Sequence, residues 1–200
     1  MRTARRQFEL VAALLGEETT LSLATTGEQG QACVAPLFYV VDKELTLYWL
    51  SSESSLHSLN LAANPHAAAT VYRSVESWRE IRGVQVHGPV SKVTEPDRRA
   101  ALVKAYCERF KLGRVPRMAL RISTLYCLKP EFIRYIDNAR GFGYKFELTL
   151  RPPAVGGLAP STGSGQAAQA DACATNLPSS ENTSLRHPAG QLAVRRSWRI

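Results

Sequence analysis

The sequence predicts a mainly β protein, a small antiparallel barrel with peripheral helices. Two observations carry that reading. Six or more short segments rich in β-branched and apolar residues follow one another, punctuated by Gly, Pro, Asn and Asp turns. Two or three segments with helical spacing interrupt them, and closing such a set of strands into a barrel removes the exposed edges an open sheet would keep. Two hundred residues suit one domain with an appendage and can bury a real core.

Arg5 to Leu15 opens the domain as an amphipathic helix, because Phe8, Val11, Ala12 and Leu15 fall at i, i+3, i+4 and i+7, and Gly16 can end it. Thr20 to Thr25 is a strand, Gly27 and Gly30 mark a turn, and Ala32 to Val41 is a long apolar strand. Asp42-Lys43-Glu44 turns that run back into Leu45 to Leu50, giving a three-strand meander. A short helix, Ser55 to Ala63, closes at Asn64-Pro65, and proline hands the chain to a strand over Ala67 to Tyr72. Ile81 to Val93 reads as one long strand bent at Gly88-Pro89. Thr94 caps the next helix, with Pro96 in its first turn and Glu95 and Asp97 at the positive end of its dipole. That helix reaches about Leu112, with Leu102, Ala105, Tyr106 and Phe110 on one face. A basic loop, Gly113 to Arg117, follows. Leu125 to Ile136 holds a strand pair, or one strand broken at Lys129-Pro130, and Tyr144 to Leu150 can form a last strand. From Pro152 onward Gly, Pro, Ser, Ala, Thr and Gln dominate, so residues 152–200 are expected to be a disordered low-complexity tail.

The formal net charge is +8, and residues 1–151 hold 21 of the 25 Lys and Arg and 15 of the 17 Asp and Glu. Those basic residues are scattered and not interleaved with aromatics, which argues against a nucleic-acid surface. Cys33, Cys107, Cys127 and Cys173 show neither zinc-ligand nor disulfide spacing, and His57, His66, His87 and His187 are dispersed, so no metal site is expected. No apolar run is long enough to span a bilayer, and Met1 to Gly16 lacks a signal-peptide core. Free thiols without an export signal read as cytoplasmic.

The stretch with chemistry in it is LTLYWLSSESSLHSLNLAANP. Ser51, Ser52, Ser54 and Ser55 stand where a strand runs into a short helix, beside first-turn N–H groups that have no partner within the helix. Such a junction can take an anion, with His57 one turn in as a possible positive charge. Serine is also a preferred N-cap, so the same residues read equally as an ordinary helix start. No Ser-His-Asp order, paired carboxylates or activated cysteine is evident, so the chain itself offers no obvious acid, base or nucleophile.

The ordered series TLSLAT, VAPLFYVV, LYWLSS, a helix ending in NP, AATVY, IRGVQVHG and YIDNARGFG resembles the FMN-binding split-barrel proteins related to pyridoxamine 5'-phosphate oxidase, in the short branch of that superfamily. The similarity covers Thr19 to Phe146. It implies a six-stranded antiparallel Greek-key split barrel over residues 1–151 that forms a homodimer with two flavin sites at the interface. On that resemblance Ala35, Pro36, Leu37 and Phe38 run along the isoalloxazine, Leu50, Ser51 and Ser52 stand at the strand end, and Ser55 and His57 hold the phosphate. Arg82, Gly83 and Gln85 lie where a strand approaches the flavin, and Asn138 and Gly141 sit in a loop that closes over it from the other subunit. Plainer readings exist for these residues: a bulge for Gly83, a turn for Asn138 and Gly141, and core packing for Trp49 and Trp78 where a ring cover is the alternative.

The sequence departs from the vitamin-B6 oxidases at one informative place. Where those have an Arg-Lys pair after the phosphate serine, this chain has Leu56 and His57. Phosphate must then rely on hydroxyls, backbone N–H groups and Arg82 or Arg73. The Arg-x-His and Trp elements that hold the pyridoxal substrate also have no counterpart, so a true pyridoxamine 5'-phosphate oxidase is not expected. The expected activity is that of an FMN-dependent oxidoreductase on an unknown small molecule. The alternatives are an F420-binding split-barrel reductase, or a non-catalytic flavin or haem module in which His57, His66 or His87 is the axial ligand.

Overall fold

The computed structural model describes residues 2–112 and 122–150, over which the chain forms nine strands, three α-helices and two 3-10 turns. The basic loop at Gly113 to Arg117 and the tail from residue 152 lie outside the described residues. Helix α1 (Arg2–Glu17) buries the stripe that its spacing marks, with Val11 and Leu15 fully enclosed. Strand β1 (Thr20–Thr26) alternates so that Leu21, Leu23 and Thr25 face the core. It pairs antiparallel with β2 (Ala32–Phe38), Thr20 opposite Phe38 and Thr26 opposite Ala32.

The long apolar run 32–41 is two strands rather than one. It breaks at Tyr39, which is fully buried and donates its hydroxyl to the Leu15 carbonyl at 2.7 Å. Beyond that anchor the chain leaves β1, and β3 (Val40–Val41) pairs instead with β4 (Leu47–Ser51). The expected meander is therefore corrected: β2 hydrogen-bonds to β1 alone among the described strands and is a sheet edge. Strand β4 starts two residues later than its apolar run, because Leu45 sits in the turn at φ 64 while Asp42 Oδ1 accepts from the N–H groups of Glu44 and Thr46.

Helix α2 (Leu56–Ala63) and strand β5 (His66–Tyr72) follow, then a 3-10 turn at Trp78–Glu80 and the eleven-residue β6 (Arg82–Lys92). One edge of β6 pairs with β5 over residues 83–89. Its other edge divides: residues 82–87 pair with β8 (Phe132–Asp137) and residues 90–92 with β7 (Thr124–Leu128). Gly88 makes the division possible, since a Cβ there would stand 2.0 Å from the Lys129 carbonyl oxygen. Helix α3 (Pro96–Arg109) is capped by Glu95 and not by Thr94; the Glu95 carboxylate accepts from the N–H groups of Asp97 and Arg98 at 2.9 and 2.6 Å. A carboxylate also suits the helix dipole better than a neutral hydroxyl does. The segment 125–136 holds two strands, β7 and β8, each paired with β6, and β9 (Lys145–Thr149) adds to β8.

The order is β2-β1-β5-β6-β7-β4-β3, with β8 and β9 branching from β6, and every pair is antiparallel. This is a mainly β, curled half-barrel sheet with helices around it. The strand count is nine rather than six because Tyr39 and Lys129-Pro130 each divide an apolar run and β9 adds to β8. Inside the curl, Leu21, Leu23, Leu47, Trp49, Val84, Val86, Ile133 and Tyr135 form the main core under α1. A smaller cluster of Val40, Tyr48, Tyr106 and Leu125 packs α3.

Candidate functional site

Strand β4 ends at Ser51, opposite Thr124 of β7, and the chain turns through Ser52–Ser55 into α2. The hydroxyls gather there. Ser51 Oγ lies 2.7 Å from His57 Nε2 and 3.1 Å from Ser55 Oγ, Ser55 Oγ lies 2.8 Å from Ser58 Oγ, and Ser52 Oγ lies 2.8 Å from Ser54 Oγ. Ser55 occupies the N-cap position in an extended conformation but makes no side-chain cap bond. The first turn of α2 therefore presents its N–H groups without a capping side chain, beside a set of small rotatable hydroxyls. The cap reading and the anion reading differ at this point, and the geometry leaves the ordinary cap unmade.

Charge is the feature that differs from expectation. His57 is buried, and burial lowers its pKa, so at neutral pH it contributes a neutral imidazole and no positive charge. Lys92 reaches the same loop, but its ammonium donates to Glu53 Oε1 at 2.7 Å, and Thr124 Oγ1 donates to that carboxylate at 2.8 Å. A cavity of ≈ 290 Å³ opens beside the junction between α2 and the β6 and β7 strands, lined in part by Glu53, Ser58, Lys92 and Tyr126. The donor set facing an incoming anion is thus neutral apart from a lysine already paired.

Along β2 the four candidate residues alternate. Ala35 and Leu37 turn toward the interior, Leu37 packing on the main core, while Pro36 and Phe38 are exposed, Phe38 meeting Phe110 at 4.7 Å between ring centroids. A planar ligand can share these residues only through the free backbone edge or one face at a time. Strand β2 touches both α2 and β4, so the elements that carry Ala35–Phe38, Leu50, Ser51, Ser52, Ser55 and His57 adjoin one another.

The other candidates form a second neighbourhood. Gly83 is buried, Gln85 is exposed, and Arg82 stands 3.7 Å from the buried Asp137 carboxylate. Asn138 joins this end of β6, its N–H donating to the Ile81 carbonyl and its Nδ2 to the Trp78 carbonyl, both at 2.9 Å. Gly141 holds φ 140, which a side chain would not tolerate well. Arg82 and Lys92 are ten positions apart on β6, roughly 30 Å along the strand at ~3.3 Å per residue. Arg73, the other proposed phosphate donor, neighbours Tyr72, which pairs with Gly83, and it is held by Glu18 at 2.9 Å. Within one chain neither arginine joins the serine junction.

Trp49 is fully buried and stacked on Tyr126 at 5.8 Å, so it is core and covers no ligand. Trp78 is 45% exposed. His66 and His87 are exposed, His87 stacked on Phe132 at 4.8 Å. Sequence reasoning missed Ser58, whose place three residues after Ser55 on one helical face was a usable signal. It also missed the Glu53–Lys92 pair, which no local pattern announces. Among the described residues no three or more His, Cys, Asp or Glu side chains gather as a metal site, and no helix is long and apolar enough to cross a membrane.

Comparison with known proteins agrees with the architecture. The family model described as pyridoxamine 5'-phosphate oxidase matches residues 8–136. An UPF0306 protein from Photorhabdus laumondii is 26% identical over 143 residues, covering 71% of this chain and 95% of the relative. A conserved hypothetical protein from Mycobacterium tuberculosis superposes with a TM-score of 0.57 at 20% identity, covering 65% of this chain and 84% of the other. The haem storage protein HutZ of Vibrio cholerae gives 0.51 at 21% identity, covering 62% and 89%. At such identities these two structures speak for a shared fold.

Proposed function

Because the chain belongs to the pyridoxamine 5'-phosphate oxidase family, we propose that it is a flavin-binding protein, an FMN-dependent oxidoreductase acting on a small molecule. One observation supports this most: the uncapped start of α2 with Ser51, Ser52, Ser55 and His57 gathered at the end of β4. The residues fit a phosphate through neutral donors, namely hydroxyls that rotate to give their protons, N–H groups of the first turn, and an imidazole with one donor. Leu50 and the edge backbone of Ala35–Phe38 would lie along the ring system. Arg82 lies ten positions along β6 from Lys92 at the serine junction, and Asn138 is hydrogen-bonded beside Arg82 at that far end; the reading assigns Arg82, Gly83, Gln85, Asn138 and Gly141 to the second copy of a homodimer.

Bound FMN would supply the hydride and electron transfer. The protein would bind, orient and exclude water. Leu56 and His57, in place of two cations, and the lack of a counterpart to the Arg-x-His and Trp substrate elements favour a reaction other than pyridoxamine 5'-phosphate oxidation. Cytoplasmic location and the absence of nucleic-acid or membrane partners belong to the same proposal.

A haem module is the second reading. It draws on the likeness to HutZ, named a haem storage protein, and on His87, an exposed imidazole lying against Phe132. His57 suits an axial role poorly, since its Nε2 is taken up by Ser51 and Ser55. The visible spectrum of freshly purified protein, followed by titration with FMN, F420 and haem, separates these readings. A flavin doublet or saturable quenching of FMN fluorescence is expected; a Soret band with no response to FMN would overturn the flavin reading, and tighter binding of F420 than of FMN would replace it.

A further inference from the structure

The flavin reading leaves the cavity of ≈ 290 Å³ between α2 and the sheet without an occupant. Its sheet wall follows from register. Trp49 of β4 stands opposite Tyr126 of β7, and Tyr126 stands opposite Lys92 of β6, so the three side chains share one face. Val90, two residues before Lys92, lies on that face too. Ser58, Leu59, Leu61 and Ala62 of α2 supply the other wall. Most of an occupant would therefore meet carbon.

Polar groups complete the lining. Tyr126 is 3% exposed and its ring stacks on Trp49, yet its hydroxyl has no hydrogen-bond partner among the described residues and its oxygen keeps some accessible surface. A buried phenol ordinarily has a partner. Lys92 is near enough for its ammonium to interact with this phenol, and of its three N–H groups one goes to Glu53. Glu53 accepts from both Lys92 and Thr124 on Oε1, which leaves Oε2 without a partner among the described residues. The hydrogen bond between them lowers the Glu53 pKa and raises that of Lys92, so both stay ionised at neutral pH.

Those two charges set the class of ligand. An anion would meet the Glu53 carboxylate, and a cation would meet the Lys92 ammonium. A neutral head with an acceptor beside a donor suits both, since the acceptor takes the Tyr126 O–H and a further Lys92 N–H while the donor turns to Glu53 Oε2. Size sets the rest. Sites for drug-sized molecules run from about 300 to 1,000 Å³, so this one takes a single ring and not a flavin nucleotide.

We infer that the cavity is a binding site for an uncharged, single-ring carboxamide, held by Tyr126, Lys92 and Glu53 at its head and by Val90, Leu61 and Ala62 along its ring. The site meets the serine junction through Glu53 and through the Ser55–Ser58 hydrogen bond at 2.8 Å. It does not depend on the flavin reading.

The test uses the full-length protein with benzamide, benzoate and benzylamine as probes in ligand-observed NMR titrations, while FMN binding is followed separately by flavin fluorescence. Saturable binding of benzamide is expected, with benzoate and benzylamine each several-fold weaker. Tyr126→Phe keeps the stack on Trp49 and should weaken benzamide about fivefold. Lys92→Met keeps the aliphatic stem, leaves Glu53 without its cation, and should turn the preference toward benzylamine. Ala62→Trp, at an exposed helix position on the cavity wall, should abolish benzamide binding and leave FMN affinity unchanged. The inference is overturned if benzamide does not saturate, if either charged probe binds the wild type as tightly, or if Tyr126→Phe or Ala62→Trp leaves benzamide affinity unchanged. Competition between FMN and benzamide would also overturn it, since the cavity would then be part of the flavin site. Failure of FMN to bind, with benzamide still saturating, would remove the flavin reading and leave this site standing.

Discussion

Ser51 Oγ and His57 Nε2 lie 2.7 Å apart across the junction between β4 and α2, which joins the last strand residue to the buried face of the helix. The bond fixes the direction in which the helix leaves the sheet. It also ties an uncharged imidazole to the hydroxyls proposed to meet a phosphate, so the strength of that site should be set by neutral donors.

Leu56 is exposed at the first position of α2, so a cation can be restored there without disturbing the core. Leu56→Arg should tighten FMN binding about tenfold, as a charge-assisted bond is worth about 1.5–3 kcal/mol where a neutral one is worth about 1. Riboflavin, which lacks the phosphate, should bind equally to both proteins. Ser55→Ala should weaken FMN about fivefold by the same reasoning. Fluorescence titration checks all three, and equal gains for FMN and riboflavin would mean that the phosphate is not at this helix.

Burial of His57 makes stability depend on pH. Its folded pKa is lowered from 6.5, so below that value the unfolded chain binds a proton that the folded chain resists. The contribution is present above the unfolded pKa and is lost as pH falls through the folded one. Thermal midpoints of the wild type should therefore decline between pH 7 and 5 more steeply than those of His57→Gln, which keeps a polar group but cannot ionise. Parallel slopes would place the pH dependence elsewhere.

Much of the barrel was legible because its strands have period-two burial and its turns have the residues that turns require. The main misreading, the single strand 32–41, arose where local propensity is uniform. Nothing in VAPLFYVV distinguishes Tyr39, and only its reach to the Leu15 carbonyl on α1 divides the run. The cap of α3 was displaced by one residue because Glu95, less favoured by statistics than Thr94, can span two N–H groups at once. At the site, the serine cluster was visible as a local pattern. The state of His57 was not, since its burial depends on how α2 packs across the sheet. The Glu53–Lys92 pair joins residues thirty-nine positions apart and leaves no local trace.

Two glycines in β6 should differ sharply in their response to substitution. A Cβ at Gly88 would stand 2.0 Å from the Lys129 backbone oxygen, and backbone cannot swing aside as a side chain can. At Gly83 the nearest atoms are at 3.4 Å, ordinary contact distance. Gly88→Ala is expected to cost about 3 kcal/mol or more, in the range of a severe steric or backbone defect, and Gly83→Ala under about 1 kcal/mol. Urea unfolding of both variants decides. Equal losses would show that β7 and β8 need not part at residue 88.

The separation of the two candidate groups along β6 makes the proposed dimer testable by complementation. Ser55 lies at the α2 junction, and Arg82 at the far end of β6 beside Asp137. If each flavin site takes Ser55 from one copy and Arg82 from its partner, a dimer mixing Ser55→Ala and Arg82→Ala chains holds one site with both defects and one with neither. Unfolding and refolding the two variants together at equal amounts should then restore about a quarter of the sites to wild-type FMN affinity, since half of random dimers are mixed and each has one intact site. Sites built within a single chain would give no high-affinity fraction. Titration with FMN, fitted to two classes of site, distinguishes the cases, and light scattering confirms that the refolded species is dimeric.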